Sequence, residues 1–313
     1  MFQVLAVPPA SSVARRSVEC MTGRDDVREF LASRRARITP EAAGLPVYGG
    51  NRRVKGLRRE EVAMLAGMSV DYYVRLERGN LAGASESVLD ALANALQLDE
   101  AEREYLFDLA RAAGPARRNL KSGAEGIRPS VRQILDAITD APAWVRNGRH
   151  DIIAANVMGR ALYSPVFDGA HRPVNTARFT FLDSAAKTFW RDFDRIAHDA
   201  AAMLRLEAGR HPHDPELIKL IGELSTQSEL FRQQWASRDV KFHRSGVKRL
   251  HHPVVGDLDL DYESMDLFGQ QDLALNVYTA REGTTTSDAL KLLASWAADQ
   301  AEHFVLEESP TRN

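Results

Sequence analysis

"LRREEVAMLAGMSVDYYVRLERG", Leu57 to Gly79, is the stretch on which the fold of the N-terminal region turns. Its apolar residues recur at helical spacing on both sides of one glycine, so two short helices meeting at a corner are expected. Counted from Arg59, the residues Val62, Ala66, Met68, Tyr73 and Leu76 fall at inward positions, with the small Ala63 where the helices approach. Gly67 takes the turn, where a positive φ costs any residue with a Cβ more. Ser69 is placed to cap the second helix, and Ser69, Val70, Asp71, Val74, Arg75 and Arg78 are left facing outward. This is the layout of a helix-turn-helix, whose second helix brings its N-terminal residues to the base edges of the major groove.

An ordinary helix pair would share the apolar spacing, and a basic run alone is more often a solvated loop. Here the two occur together. Five of the eight residues from Arg52 to Arg59 are basic, and Arg24 to Gly79 holds twelve Lys/Arg against eight Asp/Glu in a chain of net charge −2. Such local charge suits a phosphate-facing patch on duplex DNA. Arg75 can fork to guanine O6 and N7, Asp71 can accept from cytosine N4, and Val70 can press on a thymine methyl. Arg34, Arg35, Arg52, Arg53 and Arg58 are the expected phosphate contacts, joined by Tyr72, whose other reading is helix packing.

Outward from this motif, Val27, Phe30 and Leu31 mark a first helix. "GLPVYGGNRR" is a loop, and helices are expected at Ser85 to Leu96 and at Asp99 to Ala112, the last opening on an acidic cap. Residues 1–23 are expected to be an unstructured tail, 24–113 an all-α five-helix DNA-binding domain, 114–128 a linker and 129–308 a second domain. That domain opens on a helix at Val131 to Ile138 and a strand, a turn at Asn147-Gly148 and a second strand in "PAWVRNGRHDIIAAN". Long helices follow, one with Asp214 as cap and Pro215 at its first position. Three further strands lie in "VKRLHHPVV", "LDLDYESMDLF" and "LALNVYTA", the middle one with a bulge where its apolar phase moves to Met265 and Leu267. A final helix runs from Ser287 to about Val305, which makes the domain α+β.

Composition narrows the class of protein. With 44% apolar and 27% charged residues the chain should fold, and Cys20 as its one cysteine excludes an internal disulfide, which fits the cytoplasm. No run has the length of a membrane span, "FQVLAV" is not a signal peptide, and either Met1 or Met21 can serve as the start. G-x-S-x-G, P-loop and G-x-G-x-x-G motifs are absent, so no enzyme is expected. His251-His252 would point to opposite faces of a strand, and His211-Pro212-His213 in its loop lacks carboxylate or Cys partners at a convincing spacing, so no metal is expected either.

The segment from Leu57 to Gly79 resembles the XRE-type helix-turn-helix of phage repressors. With "IIAAN", "AGRHPHDPELIKLIGELS", "FRQQWASRDV" and "KRLHHPVVGDLDLDYESM", the chain is similar to MmyB-like bacterial transcriptional regulators over nearly everything after residue 25. The resemblance implies that Arg59 contacts the backbone and helps to read DNA, with Ser69, Val70, Asp71 and Arg75 facing the bases. It also implies a PAS-like antiparallel sheet with inserted helices, holding a fatty-acid-like ligand. In the sequence, many aromatics, Trp144 and Trp235 among them, accompany Asn156, Arg205, Arg249 and His252 at element ends, and an apolar tunnel closed by a cation or Asn would suit an acyl carboxylate. Each aromatic taken singly is better explained as core. The expected protein is thus a homodimeric regulator of transcription with no cofactor beyond a bound lipid. In the alternative, the second domain serves only dimerisation or protein docking.

Overall fold

The computed structural model describes residues 23–46, 54–114, 126–169, 171–270 and 272–306, with the side chains of 300–306 left out. The expected tail up to residue 22 and the expected linker from 115 to 125 lie outside the described residues. The chain divides into two compact units, Met1–Pro115 and Ala116–Asn313.

The first unit consists of α1 (Gly23–Arg37), α2 (Arg59–Leu65), α3 (Val70–Glu77), α4 (Glu86–Ala95) and α5 (Glu100–Ala112). Side-chain caps start α3, α4 and α5. Ser69 Oγ accepts from Tyr72 N at 3.2 Å, and Asp99 and Glu102 accept from each other's backbone N–H at 2.9 and 3.2 Å, a reciprocal capping box worth about 1 kcal/mol per cap. Val27, Phe30, Leu31, Val62, Ala63, Tyr73, Leu76, Leu92 and Leu106 form the core, whereas Met68, expected inward, is half-buried. Gly67 has φ +63°, and Met68 N donates to Ala63 O at 2.9 Å across the corner. Gly56 permits a close approach, because a Cβ there would stand 2.6 Å from the Ala36 backbone, where Leu57 N donates to Arg35 O.

In the second unit, α6 (Pro129–Ala137) precedes the hairpin β1 (Ala143–Arg146) and β2 (Ile152–Ala155). Seven helices follow: α7 (Val157–Leu162), α8 (Ser164–Phe167), α9 (Thr176–Leu182), α10 (Ala186–Phe189), α11 (Phe193–Arg210), α12 (Pro215–Gln227) and α13 (Glu229–Ala236). Then come β3 (Ser245–His252), β4 (Gly256–Asp266), β5 (Ala274–Thr279) and α14 (Thr285–Leu306). The sheet order is β2-β1-β5-β4-β3 with every neighbour antiparallel. The Asp214 cap forms as expected, its carboxylate accepting from Glu216 N and Leu217 N.

Both faces of the sheet are covered, and this overturns the expected bulge. Leu258, Leu260 and Tyr262 face the large core with Trp144, Leu250 and Tyr278, while Leu267 packs with Val145, Leu275, Val131 and Leu135 on the opposite face. The register of β4 against β5 runs unbroken from Asp261↔Thr279 to Asp266↔Ala274. The apolar phase shifts because α6 covers the other face there, not because a residue is inserted. The irregularity lies instead between Val145 and Arg146 on β1. The hairpin turn is also longer than the expected Asn147-Gly148 pair: Asn147 N donates to Asp151 O, and the left-handed residue is His150, φ 69°.

Candidate functional site

The N-terminal half of α3 presents a polar face to solvent. Ser69, Val70, Asp71, Arg75 and Arg78 are all exposed, with Val70 at 45%. Arg75 Cζ lies 5.5 Å from the Tyr72 ring centroid, so the ring gives the guanidinium a platform, a packing role for Tyr72. Ser69 Oγ is engaged by its cap. Asp71 is exposed, and among the described residues it makes no ion pair with Arg75.

Behind this face stands Glu77, which sequence reasoning passed over. Its side chain is 2% exposed and accepts from Arg35 Nε at 2.7 Å, from Arg59 Nε, and from Tyr73 Oη at 3.2 Å. Burial alone would raise its pKa, but the two guanidinium groups outweigh it and hold the carboxyl below its ordinary value. Burial and the neighbouring carboxylate push the Tyr73 hydroxyl upward. One buried acid thus ties α1, α2 and α3 together.

Two expected phosphate contacts are corrected by this geometry. Arg34 is 2% exposed, its Nε 2.8 Å from Glu102 Oε1 and its guanidinium 4.7 Å from the Phe30 ring centroid, so it braces α1 against α5 from inside. Arg35 spends its donors on Glu77 and on Leu57 O at 2.8 Å. Arg58 remains exposed beside Glu60, and Arg59, 55% exposed, keeps its remaining guanidine donors while its Nε is held by Glu77. Arg52 and Arg53 lie outside the described residues.

The second unit contains a partly open cavity of about 40 Å³ between the sheet and α11. Its apolar wall comes from Trp144, Tyr163, Trp190, Ile196, Met203 and Tyr278, and its polar wall from Arg146, His150, Asp199, His243 and Lys248. Tyr163 and Tyr278 share a hydroxyl hydrogen bond of 2.7 Å. Arg146 Nε and His150 Nε2 are buried with no hydrogen-bond partner. Lys248 is 8% exposed, its Nζ 5.5 and 5.4 Å from the ring centroids of Trp190 and Tyr262, and no carboxylate among the described residues reaches ion-pair distance of it. Asp199, the one acid on the wall, is taken by Lys241 at 2.7 Å and Arg195 at 3.7 Å. Burial, then the surrounding cations, push Lys248 down to about 7. The same causes hold His150 and His243 well below the usual imidazole value.

Of the six expected pocket residues, Trp144 lines this cavity. Asn156 caps α7 instead, its amide oxygen accepting from Gly159 N and Ala143 N and its nitrogen donating to Ile138 O and Ala141 O. Arg205 donates to Trp235 O and stacks 3.9 Å from the Trp235 ring centroid, which fastens α11 to α13. Arg249, its side chain 51% exposed, points off the other face of β3 toward Asp192 and Asp259. His252 is a satisfied core histidine: Nδ1 accepts from Val254 N, and Nε2 donates to Ala161 O at 3.0 Å. Arg146, His150, His243 and Lys248 were missed, although alternation along "VKRLHH" puts Lys248 on the inward face with Leu250.

Comparison with known families fits both units. The helix-turn-helix domain family matches residues 26–106, and the MmyB-like transcription regulator ligand binding domain matches residues 127–293. No curated protein matches the chain. With more than half of its residues inside the second match and a DNA-binding motif before it, the chain belongs to the MmyB-like transcription regulators.

Proposed function

We propose that the protein is a sequence-specific, cytoplasmic, homodimeric regulator whose second unit senses a small apolar ligand with an anionic head, such as a fatty acid. The observation that carries this reading is the convergence of Arg146, His150 and Lys248 on one aromatic-walled cavity whose one acid, Asp199, is held by Lys241 and Arg195, with Arg146 Nε and His150 Nε2 left without hydrogen-bond partners. A ligand carboxylate would supply the missing charge-assisted hydrogen bonds, and the aromatic wall would take the chain. The sheet order β2-β1-β5-β4-β3 fits the PAS-like sheet that the sequence resemblance implies. Drug-sized ligands occupy roughly 300 Å³ or more, so a fatty acid could enter this cavity of about 40 Å³ only by displacing side chains.

The test is extraction of lipids from the purified full-length protein with mass spectrometry, followed by titration of a selected operator with and without palmitate. A co-purified acyl anion and a palmitate-dependent change in operator affinity are expected. A lipid-free dimer whose operator affinity ignores palmitate would instead favour docking. On the DNA side, Arg75→Ala should lose about 1–3 kcal/mol of discrimination at one base pair, whereas Arg58→Ala should weaken all sequences alike and lower the salt slope by about one. Equal loss of specific and non-specific binding in the Arg75 variant would rule out a base-reading role.

A further inference from the structure

A second polar cluster lies at the C-terminal end of α11. Glu207 and His211 stand at i and i+4, one above the other on the same helix face, and Asp272 reaches them from the β4–β5 connection. His211 Nε2 is 3.0 Å from Asp272 Oδ1 and 3.7 Å from Glu207 Oε1, and one ligand atom from each residue lies within 4.8 Å of the other two. Glu207 is only 7% exposed, and among the described residues its sole close polar partner is that imidazole nitrogen, with no hydrogen bond to its carboxylate. A carboxylate withdrawn from water without donors is unfavourable, and it is relieved by taking up a proton or a cation. The backbone is shaped around it, since a Cβ at Gly148 would stand 2.0 Å from Glu207 Cδ.

We infer that Glu207, His211 and Asp272 form a binding site for one divalent transition-metal ion. Metal–ligand bonds of roughly 2.0–2.2 Å place donor atoms roughly 3–4 Å apart, close to the spacing of this cluster. One imidazole nitrogen with two carboxylates selects a zinc-class ion over magnesium, and three protein ligands leave a position for water. Two carboxylates and a neutral imidazole also match the charge of the ion. The expectation of no metal rested on the lack of partners for His211 in sequence. Glu207-x-x-x-His211 was two of the three ligands, and only folding brings in Asp272, 61 residues from His211.

Equilibrium dialysis of chelator-stripped full-length protein against Zn²⁺ tests the site. One saturable ion per chain is expected, with affinity reduced at least about tenfold in Asp272→Ala and in His211→Ala. Asp272 lies in a surface connection with its side chain 33% exposed and at φ 68°, so its alanine variant should stay folded in the absence of metal with a small loss of stability from the left-handed backbone. Absence of a saturable ion, undiminished binding in Asp272→Ala, or displacement of Zn²⁺ by an equal concentration of Mg²⁺ would overturn the assignment.

Discussion

Replacing Glu77 by alanine is expected to destabilise the first unit by about 3 kcal/mol and, with it, to abolish operator binding at ordinary temperatures. The magnitude follows from what the substitution leaves behind. Glu77 is 2% exposed and faces Arg35, Arg59 and the Tyr73 hydroxyl, so its removal strands a largely buried guanidinium and a buried phenol. Removing one member of a buried charged set costs more than the set contributes, because the partners stay desolvated. Glu77→Gln keeps the shape but sets an N–H₂ against a guanidinium, so it should fall between parent and alanine. Because the folded-state pKa of Glu77 lies below its ordinary value, the group stabilises the fold fully above that value. The stabilisation is lost as pH falls through the folded pKa. Urea unfolding of the full chain followed by far-UV circular dichroism reads the loss. An alanine variant that unfolds at the parent's midpoint would remove Glu77 from the centre of this domain.

Lys248→Met should act in two opposite directions. The ammonium is 8% exposed, has no acid within ion-pair distance and sits between Trp190 and Tyr262, so an apolar side chain of similar length should stabilise the second unit by about 1–3 kcal/mol. The same change should weaken palmitate binding at least about tenfold, the worth of one charge-assisted hydrogen bond. The sign of the pH dependence is set by the depressed pKa. Between about 7 and the ordinary 10.5 the unfolded state binds the proton and the folded state does not, so stability rises with pH by about 1.4 kcal/mol per unit through that window. In Lys248→Met that rise should disappear. A methionine variant that is less stable, or that keeps the parent's alkaline rise, would mean that Lys248 is paired and not an open cation.

How much of this was legible in the sequence depends on how local the determining contacts are. Gly67, the Ser69 cap and the buried Val62, Tyr73 and Leu76 follow from spacing within two turns of helix, and the structure places them as read. Arg34 was misread although it completes the stripe of Val27, Phe30 and Leu31, because a charge was taken to override its position. Arg249 was chosen where Lys248 faces inward, and on a strand one residue is the whole difference between the two faces. Glu77 and Asp272 could not be found this way. Their partners, Arg35 and His211, are brought to them by packing between elements distant in sequence.

The cavity has a further consequence, for the speed of the response. A space of about 40 Å³ is too small for an acyl chain, so on the proposed reading entry of a ligand and rearrangement of Trp144, Trp190 and Tyr278 are one event. The association rate of such a site saturates, because at high ligand concentration it is limited by how often the aromatic wall opens. For the proposed ligand the same gating would lengthen the residence time, and a regulator built this way would average over brief fluctuations in ligand supply.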